Sequence, residues 1–254
     1  MTFDKLLLDL VDESIPFETK DVAVLMSGGI DSLSLAFVAS RIGLDVKCYT
    51  FIVNSIETKD SEASRIACET FNWEFNLIDI PLDLESLQHD FKTLWSLGCS
   101  KKTHYECTLP FLYVFPKIKE DFILSGIAAD GNYGLSKRAL VNKKYKVRQS
   151  KEIFDRYRAD YFNQSNPAGV NQLYKLALNY EKMLVTPYMD YDVFDYFSKF
   201  SWQDINKPTE KYLITSQFSE FSKIKLRKHA NLQLVANIPT YFESLLTTEL
   251  NFNN

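Results

Sequence analysis

Apolar residues at Phe3, Leu6, Leu7, Leu10 and Val11 recur at three- and four-residue intervals, which predicts an amphipathic helix ending before Pro16. Val22 to Met26 is a short unbroken apolar run of the buried-strand kind, Ser27-Gly28-Gly29 turns the chain, and Leu33 to Ile42 continues as a helix stopping at Gly43. Residues 46–53 (VKCYTFIV) read as a second buried strand, a helix follows over about 61–71, and 75–80 reads as a third strand. Strands alternating with helices predict an α/β fold: a parallel sheet with right-handed crossovers and helices on both faces. Leu82 to Leu97 predicts a helix, as does the stretch from 109 to 118, with Pro110 and Pro116 marking its ends or kinks. Phe122 to Leu124 is a further short strand, and SGIAADGNYG after it reads as loop. From Lys151 onward the pattern is mostly helical, punctuated by Pro167, Pro187, Pro208 and Pro239. The expected organisation is an N-terminal helical extension over 1–20, an α/β nucleotide-binding core over 21–136 and a mostly helical portion over 137–254 packed on that core.

With 254 residues, 46% of them hydrophobic and 24% charged, and only 8 Gly and 8 Pro, collagen-like, disordered and disulfide-scaffold classes are excluded. No apolar run approaches the roughly 18 to 20 residues that cross a bilayer. The N-terminus carries acids where a secretory leader carries a basic end, and Cys48, Cys68, Cys99 and Cys107 are too scattered for a disulfide framework. The expected location is the cytoplasm.

The net charge of −4 argues against a protein that coats nucleic acid. The average hides an excess: Lys137 to Arg158 holds nine basic residues and two acids, so that stretch is +7. Lys223, Lys225, Arg227 and Lys228 form a second basic knot. Such runs are solvated faces or meet a polyanion, and the sequence leaves both readings open, including nucleic acid bound through 137–158.

Ser27-Gly28-Gly29-Ile30-Asp31-Ser32 lies between a predicted strand and a predicted helix. Glycines let backbone N–H groups approach an anion, the helix N-terminus adds partial positive charge, and Ser27 and Ser32 supply hydroxyls. The turn therefore reads as a phosphate cradle, although the Walker Gly-Lys-Ser/Thr is absent. Asp31 beside a phosphate site needs a cation between them, which points to Mg²⁺; alternatively Asp31 or Ser32 only caps the helix.

SGGIDS after a hydrophobic strand resembles the motif of the N-type ATP pyrophosphatases (PP-loop superfamily), which cleave ATP between its α- and β-phosphates. Leu124-Ser125-Gly126-Ile127-Ala128-Ala129-Asp130 is similar to the LSG-x-G-x-D segment of asparagine synthetases and β-lactam synthetases. Pro187-Tyr188-Met189-Asp190 resembles their P-F-L-D, and Lys211-Tyr212-Leu213 their late lysine segment. The four markers stand in family order, which favours the asparagine-synthetase-like branch. The resemblance implies that Ser27, Gly28, Gly29 and Ser32 hold pyrophosphate, that Ser125 and Gly126 belong to the nucleotide site, and that Asp31 and Asp130 coordinate Mg²⁺. It implies that Lys211 neutralises the departing pyrophosphate and that Tyr49 to Phe51 face the adenine through backbone atoms. Read alone, Asp130 is equally a turn or capping acid and Lys211 an exposed helix lysine.

The sequence departs from that pattern in four places. Thr2 stands where a glutaminase cysteine would follow Met, so a nitrogen source from solvent, substrate or a separate subunit is expected. Gly131 replaces a Glu, Val185 an Arg, and Thr215 an Arg. For the general base, Glu106 is the nearest acid, with Asp190 and Glu57 weaker candidates. Cys99, His104 and Cys107 lack the fourth ligand of a structural zinc site and read as buried small residues and a lone His. The leading expectation is an ATP- and Mg²⁺-dependent ligase that adenylylates a small-molecule carboxylate and passes the acyl group to ammonia or an amine. The alternatives are a PP-loop enzyme modifying a base in tRNA or DNA, and a non-catalytic adenine-nucleotide-binding subunit.

Overall fold

The computed structural model describes residues 1–141, 146–164, 166–226 and Ile238. The opening periodicity becomes helix α1 (Phe3–Ser14), which buries Phe3, Leu6, Leu7 and Val11. Strands and helices then alternate as β1 (Asp21–Leu25), α2 (Ile30–Arg41), β2 (Asp45–Val53), α3 (Lys59–Phe71) and β3 (Glu74–Ile80). Helices α4 (Leu84–Ser96) and α5 (Lys102–Val114) lead to β4 (Phe122–Leu124), followed by the short helices α6 (Ala129–Tyr133) and α7 (Lys137–Val141). Next come α8 (Lys151–Phe162), α9 (Val170–Asn179), β5 (Met183–Val185), α10 (Tyr191–Ser198), α11 (Trp202–Asn206) and α12 (Tyr212–Thr215). Lys143, Lys144, Arg227, Lys228 and Pro239 lie outside the described residues.

All five strands run parallel in the order β3-β2-β1-β4-β5. Val22 and Val24 of β1 enter one apolar core, with α1, α2 and the aromatic residues of the later helices; Ala23 enters the opposite core, with α4, α5 and α9. Both faces are covered, which is why these strands read as unbroken apolar runs. The order reverses at β1, with β2 on one side and β4 on the other. In such sheets ligands bind in the crevice beyond the carboxyl ends of the strands at this reversal. Ser27 to Gly29 leaves β1 there, and Ser125-Gly126 leaves β4 there.

Three elements differ from the sequence reading. Helix α5 begins at Lys102 and carries Pro110 in its interior, while Pro116 opens a 3₁₀ turn. Proline removes one hydrogen bond, but Tyr105, Leu109 and Val114 anchor the helix in the second core. The segment after β4 is loop only to Ala128; Ala129–Tyr133 is helical and stops at Gly134, whose φ is +66°. Strand β5, as short as β4, has no counterpart in the sequence reading; it forms because Met183 to Val185 pairs with Phe122 to Leu124. Among the described residues no helix is long and apolar enough to cross a membrane.

Candidate active site

The turn after β1 is held by its own hydroxyls. The Ser27 N–H donates to Ser32 Oγ (3.3 Å), the Ser32 hydroxyl donates to the Gly29 carbonyl (3.1 Å), and the Gly29 N–H donates to Ser27 Oγ (3.3 Å). Gly29 is the N-cap of α2, so the unpaired amides of that helix's first turn open at the sheet's crevice. Gly28 has φ +67°, and a Cβ there would lie 2.6 Å from Ala63 Cβ and 2.8 Å from its carbonyl carbon. Only glycine lets the turn lie on α3. Gly126 serves a similar purpose, because a Cβ would come within 3.1 Å of Asp31 Cβ and 3.3 Å of the Ser32 nitrogen. The loops after β1 and β4 therefore touch.

Three charged residues from distant parts of the chain meet beside that contact. Lys211 Nζ lies 2.6 Å from Asp31 Oδ2 and 2.9 Å from Asp130 Oδ1. Asp31 sits in the first turn of α2, Asp130 in the first turn of α6, and Lys211 is the N-cap of α12 at φ +59°. Lys211 is only 3% exposed. Burial by itself would lower its pKa; the charges of Asp130 and Asp31 and their hydrogen bonds outweigh burial and hold it raised. The Tyr133 ring centroid lies 5.1 Å from Nζ, and the Tyr188 hydroxyl donates to the Asp31 carbonyl at 3.1 Å. Both phenols are fully buried and their pKa values are pushed well up, first by burial.

The backbone around the three charges is fixed by side-chain amides. Asn132 Nδ2 donates to the Tyr188 carbonyl (2.9 Å). Asn206 Nδ2 donates to the Tyr133 and Trp202 carbonyls (3.0 Å each), and its Oδ1 accepts the Lys211 N–H (3.1 Å). Ala128 has φ +68°, in the left-handed region that favours glycine, at the position where the LSG-x-G-x-D pattern carries one.

A cavity of about 1230 Å³ covers this crevice. Ser27, Gly29, Asp31 and Ser32 line it from the first loop, Ser125, Gly126 and Asp130 from the second, with Phe51, Glu106 and Lys211 around them. Gly28 is not on its wall; its contact is with α3.

Residues 2–182 match the asparagine synthase family. The chain belongs to that family. No curated protein matches it. Among solved structures it is similar to the NH₃-dependent NAD synthetase from Campylobacter jejuni subsp. jejuni, at 13% identity over 100% of this chain and 100% of that one, with a TM-score of 0.41. It is similar to NMN synthetase from Francisella tularensis at 16% identity, over 90% of this chain and 96% of that one, with a TM-score of 0.40. It is also similar to the U34-tRNA thiolase NcsA from Methanococcus maripaludis at 14% identity, over 98% and 82%, with a TM-score of 0.38.

Both loops of the asparagine synthase match lie inside 2–182, whereas Lys211 lies beyond it. Its meeting with Asp31 and Asp130 is visible only in three dimensions. At Gly131, where asparagine synthetases usually carry Glu, a Cβ would lie 2.3 Å from the Tyr161 ring. Tyr161 thus covers the glycine and lines the cavity, a residue that periodicity assigns to an ordinary helix face. Asp60 and Glu210 also line the cavity without any motif to announce them.

Glu106 is 7% exposed on α5, with Lys102 Nζ 3.6 Å from its Oε1. The two weaker base candidates are elsewhere: Asp190 caps α10 through the Asp192 N–H (2.8 Å), and Glu57 pairs with Arg65. Neither lines the cavity. The basic stretch is dispersed. Lys137 and Arg138 are exposed at the cavity wall, Arg148 stacks on Trp202 (4.4 Å), Lys151 pairs with Asp155 (2.5 Å), and Arg158 is 1% exposed between Phe154 and Phe194. Of the Cys/His run, Cys99 is buried, which pushes its thiol up to about 11, and Cys107 lies on the cavity wall.

Proposed function

We propose that the protein binds ATP in this crevice, adenylylates a carboxylate with release of pyrophosphate, and passes the acyl group to ammonia or an amine. The observation that carries this reading is Lys211 Nζ held between Asp31 and Asp130 (2.6 and 2.9 Å), next to the glycine turn. Membership of an ATP-using family accounts for the nucleotide. The paired charges account for where it breaks.

Attack of a carboxylate oxygen on the α-phosphorus, in line with the bridging oxygen, concentrates negative charge on the departing pyrophosphate. Ser27, Gly29 and Ser32, with the N-terminus of α2, bind that group by turning toward it the N–H and O–H donors that otherwise bond within the turn. Lys211 neutralises it from a nearly dry position, where a charge counts for more than in water. Among the described residues no cluster of three or more His, Cys, Asp or Glu is arranged for a metal. Two carboxylates nevertheless fit Mg²⁺, which takes hard oxygen ligands and commonly keeps only one or two from protein, the rest being water and phosphate. Asp31 and Asp130 would hold it, and when bound it supplies a Lewis acid for the phosphate charge. Glu106, buried on the cavity wall, accepts the proton of the incoming amine.

The test is to incubate the protein with ATP and Mg²⁺ across panels of carboxylates with ammonia or amines and to separate the products. Substrate-dependent AMP plus pyrophosphate is expected; steady ADP plus phosphate overturns the reading. Lys137 and Arg138, exposed at the cavity wall, favour the base-modifying alternative. Under that alternative AMP formation requires tRNA or DNA, and binding falls steeply with ionic strength.

A further inference from the structure

We infer that Lys211 has a second role, as the resident counter-ion of the Asp31–Asp130 pair, so that a divalent cation and the triphosphate load together rather than independently. This inference rests on the proposed adenylylation site. The ammonium lies within 2.9 Å of a carboxylate oxygen on each side, so it occupies the point on which the two acids converge. A divalent ion bound to both acids sits about 2 Å from their oxygens. An ammonium and such an ion cannot share that space, and their repulsion in a nearly dry site is large. For an ion to bind both acids through these two oxygens, Lys211 would have to leave the pair.

The route of departure is set by what is fixed. The Lys211 backbone is tied by its N–H to Asn206, and through Asn206 to the end of α6, so only the four-carbon stem is available to move. The Tyr133 ring lies 5.1 Å from Nζ on its protein side, and the cavity that Lys211 lines also holds Ser27, Gly29 and Ser32. Swinging into that cavity while it lacks an anion would exchange both carboxylate partners for water and leave the two acids without their cation, which is costly. A triphosphate on the glycine turn removes that cost by giving the ammonium a new partner. With Lys211 drawn to the phosphate, Asp31 and Asp130 would be available to hold the divalent cation. Each ligand therefore favours the other, and linkage makes the effect reciprocal.

The experiment measures Mn²⁺ binding by electron paramagnetic resonance on the full chain without nucleotide, for wild type, Lys211→Met, Lys211→Gln and Lys211→Arg, each checked for folding by circular dichroism. Removing the resident cation should tighten Mn²⁺ binding by about 10-fold in the Met and Gln variants, within the range typical of coupling between sites. Lys211→Arg keeps the charge and should stay within about 2-fold of wild type on the same scale. In addition, the factor by which Mn²⁺ tightens binding of the non-cleavable α,β-methylene analogue of ATP should shrink about 10-fold in Lys211→Met. Unchanged or weaker Mn²⁺ binding in folded Met or Gln variants overturns the counter-ion role and leaves adenylylation standing. Failure of wild type to bind Mn²⁺ with or without the analogue overturns both the metal role of the two acids and this inference.

Discussion

Asn206 holds Lys211 to the end of α6: its Oδ1 accepts the Lys211 N–H at 3.1 Å while its Nδ2 donates to the Tyr133 carbonyl at 3.0 Å. One buried amide thus sets the backbone of the site's buried lysine against the short helix whose first turn holds Asp130. Replacing Asn206 with Leu removes hydrogen bonds to three interior backbone groups, the Tyr133 and Trp202 carbonyls and the Lys211 N–H, and each one left unpaired costs about 1–3 kcal/mol. We expect Asn206→Leu to lose at least about 3 kcal/mol in urea unfolding and to lower AMP formation more than it raises KM for ATP. A variant as stable and active as wild type would refute the positioning role.

Asp31 contributes one half of the grip on Lys211 and stands in the first turn of the helix that follows the glycine turn. Asp31→Asn keeps the shape and removes the charge. AMP formation should fall by at least about 100-fold, the loss typical when one stabilising group of a charged transition state is removed. Circular dichroism should remain native, because Asp130 still pairs with Lys211. Full activity in the folded variant would contradict the metal role.

Ala128 pays a conformational penalty that glycine would not. Its φ of +68° lies in the left-handed region, which costs an L-residue roughly 1–2 kcal/mol. Glycine adds about 0.4–1 kcal/mol of unfolded-state freedom to be lost on folding. The balance predicts that Ala128→Gly stabilises the protein by about 0.5–1 kcal/mol, measured as a shift in the denaturant midpoint with an unchanged slope. A destabilised variant would show that the Ala128 methyl contributes packing that outweighs its backbone strain.

Arg41 on α2 bridges Asp4 on α1 (2.9 Å) and Glu220 in the turn after α12 (2.7 Å). Burial alone would raise both carboxyls, but hydrogen bonds from Thr2 and Arg41 to Asp4, and from Arg41 to Glu220, outweigh it and hold both pKa values below their ordinary values. A folded pKa below the unfolded one gives stability that is complete above the unfolded value, near 4, and is lost as pH falls through the folded value. Arg41→Met should therefore unfold at a higher pH in an acid titration, and its deficit relative to wild type should close as both carboxyls protonate. A constant deficit from neutrality into strong acid would refute the linkage.

Much of the architecture is legible in the linear order of residues. The apolar runs at 22–26 and 46–53 are buried on both faces of the sheet, and the turn after the first stands at the sheet's reversal point. The second loop is legible through its resemblance to a known segment, although its helix at 129–133 is not, because five residues are too few for a 3.6-residue period to repeat. Strand β5, whose Met183 is exposed, offers no run of buried apolar residues to read and exists by pairing with β4.

The linear sequence by itself determined the α/β class and the place of the glycine turn between strand and helix, since strand burial and backbone freedom are local properties. It also marked Asp31 and Asp130 as candidates. Only the tertiary structure decided that Lys211, 180 positions from Asp31 along the chain, is buried between the two acids, and that Tyr161 covers Gly131. A lone lysine in a sequence reads as solvated; it is kept out of water only when packing brings counter-charges near enough to offset its desolvation.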